Sequence, residues 1–313
     1  MKIKEFANES MYEIIEYFQE ELKRNDLVCI EVLNPDICIN EYAGFKIMLD
    51  KEYIYRSYKA WNDLAELMFC KMLTPIISSE NRVCLKFKKI DTNNSFHKSK
   101  NDEQNEKYGL DSTFFQINKN EEPAFLFPYI KALQNVKIKE KKQILNLGIN
   151  KADEFEVIKN LLQKDELDDI SFIGIDYCSS AVDFAKKRFP DDNFTFLTHD
   201  INELDKLNLK KSDLIISIGT LQSSGLNFKL LFMSLIQNHL KEGGALILGF
   251  PNCRWMGGDM IYGAKAPNYS YSEQTLLYKD VYFCKKYLQQ KKFRVTLTGK
   301  NYLFLTATSI KKV

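Results

Sequence analysis

Two positions in the middle of the chain could together bind the sugar of a nucleoside. Gly148 follows a largely apolar run at 144–147, and Asp176 ends a second run at 170–175. A helical pattern of apolar residues separates the runs, so the stretch 143–176 predicts a strand, a tight turn, a helix and a second strand. The carboxyl ends of the two strands of such a unit face one crevice, where an acid commonly accepts hydrogen bonds from ribose hydroxyls.

The turn after the first strand carries too few glycines to hold a pyrophosphate. A dinucleotide site needs close approach of the backbone to the phosphates, and hence the three glycines of a GxGxxG turn. Here Gly148 is followed by Ile149, Asn150 and Lys151. The turn therefore favours a nucleoside ligand without a pyrophosphate, which points to S-adenosylmethionine.

The rest of the chain has the order expected of a mostly parallel sheet that ends in a hairpin. Helical patterns separate further apolar runs at 194–197, 214–218 and 245–250. The last two runs, 293–297 and 302–308, are joined by a turn at Gly299, which predicts an antiparallel hairpin. A parallel sheet closed in this way resembles the class I S-adenosylmethionine-dependent methyltransferases. The resemblance implies an α/β, Rossmann-like methyltransferase domain over residues 123–313.

The order and spacing of five short stretches carry this resemblance. They are NLGIN at 146–150, GID at 174–176, THDI at 198–201, DLIISIGTLQSS at 213–224 and HLKEGGALILGFPN at 239–252. The resemblance implies S-adenosyl-L-methionine as the cofactor, methyl transfer as the activity, and Asp200 as the residue that contacts the adenine. The cofactor-binding residues that it implies are Asn146, Gly148, Asn150, Asp176, Tyr177, Asp200, Ile201 and Ser217.

Two asparagines depart from the pattern of the family. Members usually have an acid where this chain has Asn146, and usually a second glycine where it has Asn150. The acid ordinarily balances the ammonium group of the cofactor, and an amide would give up charge assistance of about 1 kcal/mol. A non-catalytic scaffold that binds the cofactor poorly is therefore one alternative.

The acceptor class is usually signalled just after the fourth strand in this superfamily. Members that methylate exocyclic amines of bases or amides often carry a D/N-P-P-Y turn, whereas the stretch 217–222 has neither proline nor an aromatic residue. It resembles the small-molecule branch, with in-line methyl transfer that needs alignment more than a dedicated base, so no catalytic residue is predicted. The candidate substrate-binding residues are Thr220 and Gln222, and, from the loop after the fifth strand, Arg254, Trp255, Tyr262 and Tyr269.

The first 122 residues predict an α+β accessory domain. Ser10 and Glu13 fit a capping box at the start of a helix over 10–24. Strands are predicted at 27–33, 44–49 and 83–90. Between them Trp61, Leu64, Ala65, Met68 and Met72 recur at helical spacing, which predicts a helix stopped by Pro75 and a core position for Trp61.

A polar stretch near 91–122 predicts a long, partly mobile loop before a helix at 124–136. Pro123 suits the first position of that helix. Phe125, Phe127 and Tyr129 on it either cover the cofactor or pack against the sheet.

Composition excludes several other classes of protein. The chain has 313 residues, 45% of them hydrophobic, and a formal net charge of +2. No apolar run approaches the roughly 20 residues of a membrane span, and the amino terminus lacks a signal core, so a cytoplasmic location is expected. The seven scattered cysteines predict separate, mostly buried thiols and no metal site.

RNA remains a second candidate acceptor, because basic residues cluster in two regions and could contact phosphates. The first cluster lies at 82, 86, 88, 89, 98 and 100, and the second at 285, 286, 291, 292 and 294. Acids interleave with them, which also fits solvated surfaces.

Overall fold

The structure, a computed structural model, describes residues 3–91, 108–263 and 273–310. The chain divides into two compact units, each described here by itself. The first comprises Met1–Ser95 with Met256–Asp259, and the second comprises Phe96–Trp255 with Met260–Val313.

The first unit is built on a five-stranded sheet in the order β1-β2-β7-β5, with β6 also paired to β7, and on a small β3-β4 hairpin. The predicted strand at 27–33 is confirmed, that at 83–90 is shifted by one residue, and that at 44–49 shortens to three residues. The elements are β1 (Lys4–Glu5), α1 (Met11–Arg24), β2 (Leu27–Leu33), β3 (Lys46–Met48), β4 (Glu52–Ile54), α2 (Tyr58–Leu67), β5 (Cys70–Met72), β6 (Ile76–Ser79) and β7 (Arg82–Lys89).

The core of the first unit follows the predicted apolar pattern. The capping box that begins α1 is present, because the Ser10 side chain accepts from the Glu13 N–H and Glu13 reaches back to the Ser10 backbone. Phe18 on α1 packs edge-on against Phe87 on β7, with ring centroids 4.9 Å apart. Trp61 is only 1% exposed, which confirms its predicted place in the core.

The predicted helix through Met72 is too long. The helix α2 ends at Leu67, Phe69 adopts a positive φ of 54°, and the chain continues as the strand β5. This strand pairs antiparallel with β7, where Met72 lies opposite Phe87. Ladder hydrogen bonds to a neighbouring strand therefore override the helical spacing of the apolar residues.

The second unit contains a seven-stranded sheet in the order β10-β9-β8-β11-β12-β16-β15. The strands from β10 to β12 are parallel, and the closing pair β16 and β15 is antiparallel. This is the Rossmann-like methyltransferase sheet implied by the resemblance. The elements of the second unit are α3 (Pro123–Asn135), β8 (Gln143–Leu147), α4 (Asp153–Leu161), α5 (Lys164–Asp168), β9 (Ser171–Asp176), α6 (Ser179–Arg188), β10 (Phe194–Thr198), β11 (Ser212–Ile218), α7 (Phe228–Ser234), β12 (Leu240–Pro251), β13 (Cys253–Met256), β14 (Asp259–Tyr262), α8 (Thr275–Gln290), β15 (Phe293–Thr298) and β16 (Tyr302–Ser309), except that Met256 of β13 and Asp259 of β14 are assigned to the first unit.

Apolar residues cover both faces of this sheet. On one face Ile144 of β8 joins a core with residues of α3, α4 and α6. On the other face Leu145 and Leu147 join a core with residues of α7 and α8. A parallel sheet buried on both sides needs such nearly continuous apolar strands, which is why the strands were visible in the sequence.

The helix α3 packs against the sheet. It begins with Pro123 at its first position, as predicted, and continues through Pro128. Phe125 lies edge-on to Tyr302 at 5.1 Å between ring centroids, and Tyr129 stacks on Phe304 at 5.8 Å. Phe127 is 64% exposed. Packing, the second of the two predicted roles, therefore explains Phe125 and Tyr129.

Part of the predicted loop near 91–122 is described by the structure. Residues 108–122 contain two short 3-10 segments, Thr113–Gln116 and Lys119–Glu121, and belong to the second compact unit. The domain boundary at 122/123 between an accessory domain and a methyltransferase domain remains a prediction. Residues 92–107 lie outside the described residues.

The cysteines agree with the prediction of separate, mostly buried thiols. All seven cysteines are free thiols, and six of them are buried.

In the described ranges, no helix combines the length and the apolar character that a bilayer crossing requires.

Candidate functional site

The turn after β8 has a left-handed backbone at every second residue. Positive φ angles occur at Gly148 (71°), Asn150 (44°) and Ala152 (61°). A Cβ atom at position 148 would lie 2.0 Å from Thr220 Oγ1, so only glycine fits there. Asparagine tolerates the left-handed region better than most residues. Asn150 therefore keeps the backbone that a glycine would adopt at this position.

Asp176 at the end of β9 faces this turn. Its Oδ2 accepts the Asn150 N–H at 2.8 Å, and its Oδ1 accepts the Cys178 N–H at 3.0 Å. Burial raises the pKa of the Asp176 carboxyl, while hydrogen bonds from the backbone of Cys178, Asn150 and Tyr177 oppose that shift. A carboxylate has about four acceptor positions, so about one of them remains for a hydrogen bond from a ligand. This arrangement suits a ribose hydroxyl.

Asn146 lies inside the sheet, two residues before Gly148. It is paired with Gly174 of β9 on one side and Ile216 of β11 on the other, and it is 1% exposed. Among the described residues, its Nδ2 has no hydrogen-bond partner. An unpaired buried donor costs about 1–3 kcal/mol, so a polar ligand group that accepts from Asn146 would remove this cost.

The predicted adenine residues lie at the same edge of the sheet. Thr198, the last residue of β10, pairs with Asp176, and the His199 N–H donates to the Asp176 carbonyl at 2.9 Å. Asp200 follows directly, and its Oδ1 accepts the Asn202 N–H at 2.9 Å. Ile201 is buried, whereas Tyr177 is 53% exposed. Register therefore brings Asp200 and Asp176 to one edge, and their roles toward the cofactor remain predictions.

The loop after β11 meets the turn after β8. The hydroxyl of Ser217 donates to the Leu147 carbonyl at 3.4 Å inside the sheet. Thr220 packs directly over Gly148, as the would-be Cβ contact shows. Gln222 is half-buried, and its Oε1 has no partner among the described residues. Thr220, predicted to bind substrate, thus lies against the predicted cofactor turn.

Three of the other predicted acceptor residues lie on a short hairpin. Arg254 and Trp255 belong to β13, and Tyr262 ends β14. The Asn252 N–H donates to the Asn301 carbonyl at 2.8 Å, and the Gly263 N–H donates to the Asn252 carbonyl at 2.7 Å.

These backbone bonds join the two ends of the hairpin to each other and join its first end to Asn301, directly before β16. Burial lowers the pKa of Arg254, and the hydroxyl of Tyr262 is hydrogen-bonded to Gln274. Tyr269 lies outside the described residues.

A buried ion-paired cluster surrounds the start of α4. Lys119 Nζ lies 3.3 Å from Glu154 Oε1, and the two side chains are 15% and 3% exposed. Burial alone would lower the pKa of Lys119, but the charges of Glu154, Tyr302 and Asp153 and the hydrogen bond to Glu154 together outweigh it, so the pKa is raised. Arg188 donates to Asp153 Oδ1 at 2.7 Å and also pairs with Glu156. These pairs hold the helix that follows the turn in a fixed position.

Sequence reasoning missed a segment that contacts the turn. The Asn150 Nδ2 donates to the Tyr108 carbonyl at 2.6 Å. Lys151 Nζ donates to the carbonyls of Phe115 at 3.0 Å and Ile117 at 2.8 Å. The only hint in the sequence is a cluster of aromatic residues, Tyr108, Phe114 and Phe115, inside a stretch that is otherwise polar.

Comparisons with known proteins agree with this architecture. Residues 138–292 match the family model described as a methyltransferase domain, a range that contains all the predicted cofactor-binding residues. No curated protein matches the chain in sequence.

Three solved structures illustrate the similarity of fold. An O-methyltransferase family protein from Burkholderia thailandensis is 10% identical over 62% of this chain and 59% of its own, with a TM-score of 0.43. The N-methyltransferase NodS from Bradyrhizobium japonicum, in complex with S-adenosylhomocysteine, is 12% identical over 62% of this chain and 91% of its own, with a TM-score of 0.42. A ribosomal protein L11 methylase from Lactobacillus delbrueckii is 12% identical over 58% and 77%, with a TM-score of 0.39.

Proposed function

The domain at residues 138–292 makes this protein a class I S-adenosylmethionine-dependent methyltransferase, and we propose that it transfers the methyl group to a soluble small molecule. The observation that carries the proposal is the loop after β11, where Gly219, Thr220, Leu221 and Gln222 replace the proline and aromatic residue typical of enzymes that methylate flat amines. Thr220 of this loop packs directly on Gly148 of the predicted cofactor turn.

The residues of the turn fit the cofactor. Bound S-adenosylmethionine would supply a methyl group attached to a positively charged sulfur. The thioether that remains after transfer is a good leaving group. Asp176 would accept a hydrogen bond from a ribose hydroxyl, Gly148 would allow close approach of the backbone, and Asn146 would hydrogen-bond the amino-acid end. The protein then has chiefly to align the acceptor with the methyl group.

The hairpin β13-β14 supports an acceptor that carries an anionic group. It follows β12 directly, and Arg254 on it is half-buried, which lowers the pKa of its guanidinium. A guanidinium remains charged even so and binds carboxylate or phosphate through two parallel hydrogen bonds. We propose Arg254 as the clamp for such a group, and Trp255, Tyr262 and Tyr269 as further acceptor-binding residues.

One specific observation favours RNA as the alternative acceptor. The exposed face of α8 presents Tyr278 (61% exposed) and Tyr282 (59% exposed) beside Lys279 and Lys286. Aromatic rings interleaved with cations suit single-stranded RNA. The first basic cluster is less suitable, because Arg82 pairs with Glu5 and Glu31. Positions 98 and 100 of that cluster lie outside the described residues.

Cofactor binding is tested first, by calorimetric titration with S-adenosylmethionine and S-adenosylhomocysteine beside an Asp176→Ala variant. Micromolar binding that disappears in the variant is expected. No binding by the folded wild-type protein would support the scaffold alternative instead.

Acceptor class is tested with methyl-labelled cofactor, a small-molecule extract and total RNA. Label is expected in the small-molecule fraction, reduced by Arg254→Ala and unchanged by Arg294→Ala, a matched loss of an arginine in the second basic cluster. Label in RNA that falls steeply with salt and with Arg294→Ala would contradict the small-molecule proposal.

A further inference from the structure

The described part of the segment before α3 lies against the turn after β8. Residues 108–117, here called the strap, are held by three hydrogen bonds from two adjacent residues of that turn. Asn150 Nδ2 donates to the Tyr108 carbonyl at 2.6 Å, and Lys151 Nζ donates to the carbonyls of Phe115 and Ile117 at 3.0 and 2.8 Å. Both ends of the strap are therefore fixed to the same turn.

The helix α6 holds the middle of the strap. The Leu110 N–H donates to Ser180 Oγ at 3.2 Å. The ring of Phe115 lies edge-on to Phe184 with centroids 5.1 Å apart. Since α6 begins three residues after Asp176, the last residue of β9, these contacts place the strap along the predicted ribose edge of the site.

Asn150 joins the strap to Asp176. Its backbone N–H donates to Asp176 Oδ2 at 2.8 Å, while its side chain donates to the Tyr108 carbonyl. The ring of Tyr108 packs edge-on against Phe114 at 5.0 Å. Desolvation and the negative charge of Asp176 raise the pKa of the Tyr108 phenol, which agrees with a position close to that carboxylate.

We propose that the Asn150 side chain holds the strap beside the ribose site, and that Tyr108 is a further cofactor-binding residue that forms the outer wall of that site. A glycine at position 150 would also adopt the positive φ of 44°, but it has no side chain to reach Tyr108. The asparagine therefore adds a contact that the glycine of the family pattern lacks. This inference rests on S-adenosylmethionine as the cofactor and is independent of the acceptor.

The test uses the full chain and S-adenosylhomocysteine as the probe. Asn150→Gly keeps the backbone conformation and removes only the side-chain bond, so affinity is expected to weaken about threefold to tenfold. Asn208→Gly is the matched control, because Asn208 is an exposed asparagine with a φ of 48° whose Nδ2 also donates to a backbone carbonyl, that of Lys206. It should bind like wild type.

Tyr108→Ala removes the proposed wall and is expected to weaken binding about tenfold, whereas Tyr108→Phe keeps the ring and isolates the hydroxyl. Amide hydrogen exchange in 108–117 should slow on addition of S-adenosylhomocysteine in the wild type and respond much less in Asn150→Gly.

Wild-type affinity in Asn150→Gly and Tyr108→Ala would overturn this inference while leaving the methyltransferase assignment intact. Unchanged exchange in the strap of the liganded wild type would also overturn it. Absence of binding by the wild type would overturn both the inference and the proposed function.

Discussion

Replacing Gly148 by alanine tests the contact between the two loops of the site. The new Cβ would lie 2.0 Å from Thr220 Oγ1 and 2.4 Å from its Cγ2. Atoms cannot approach so closely, so either Thr220 or the turn must move. Because the φ of Gly148 is 71°, the alanine would also be strained in the left-handed region.

The steric clash and the left-handed strain can be measured separately with a matched glycine. Gly243 has a φ of 76°, and a Cβ there would meet nothing within 4 Å. Gly243→Ala should therefore show only the cost of a left-handed residue, about 1–2 kcal/mol in the free energy of unfolding. Gly148→Ala should lose a further 1–3 kcal/mol, roughly the usual cost of overpacking.

Shortening the Thr220 side chain should relieve the steric clash with the new Cβ. Thr220→Ala deletes both atoms nearest to the new Cβ, so the double variant is expected to regain about 1–2 kcal/mol relative to the sum of the single variants. Urea denaturation of the four proteins and the wild type measures this coupling. Titration with S-adenosylhomocysteine should show lost binding in Gly148→Ala that the double variant partly recovers.

If the losses of stability in Gly148→Ala and Thr220→Ala simply add in the double variant, the contact is refuted, because independent sites do not couple. Equal losses in Gly148→Ala and Gly243→Ala would also refute it. Either result would mean that the loops after β8 and β11 are further apart than described.

Three other predictions concern the same region. Asn146→Asp should tighten S-adenosylhomocysteine roughly fivefold or more by calorimetry, because a carboxylate adds about 1 kcal/mol of charge assistance; an unchanged affinity would favour the scaffold alternative. Ala152→Gly should stabilise the protein by about 0.5–1 kcal/mol in urea denaturation, because relief of the left-handed strain at φ 61° exceeds the entropy cost of glycine; a loss of stability would contradict this reasoning. Lys119→Met should destabilise at pH 7 by about 3–5 kcal/mol, since Glu154, whose side chain is 3% exposed, would keep an unpaired buried charge. Urea denaturation at pH 7 measures this loss, and an unchanged stability would contradict the reasoning.

The order of strands in the second unit could be read from the sequence. Each buried parallel strand is a nearly continuous apolar run, and the closing hairpin is marked by Gly299, whose φ is 96°. Asp176 could be placed for the same reason, because a polar residue directly after such a run must lie at the edge of the sheet. The short β strands of the first unit were harder to predict from the sequence, and β5 was mistaken for the end of a helix.

Within the candidate site, the types of residue were predictable but their neighbours were not. Asn150 was predicted as a cofactor-binding residue and identified as a departure from the family pattern, but its side chain bonds the Tyr108 carbonyl, 42 residues earlier in the chain. Carbonyl groups are the same at every position, so a contact with one leaves no trace in residue type. The segment 108–117 accordingly read as an ordinary polar loop.

The sequence by itself determined the class of fold and the edge of the sheet where the predicted cofactor-binding residues lie, because hydrophobic burial fixes the period and length of each strand. The cofactor followed from the family resemblance that the order of these strands carries. Only the tertiary structure decided that Thr220 packs on Gly148, that Phe125 and Tyr129 belong to the core, and that the strap borders Asp176. These contacts join loops far apart in the chain. They depend on the packing of whole elements, which no local pattern of residues records.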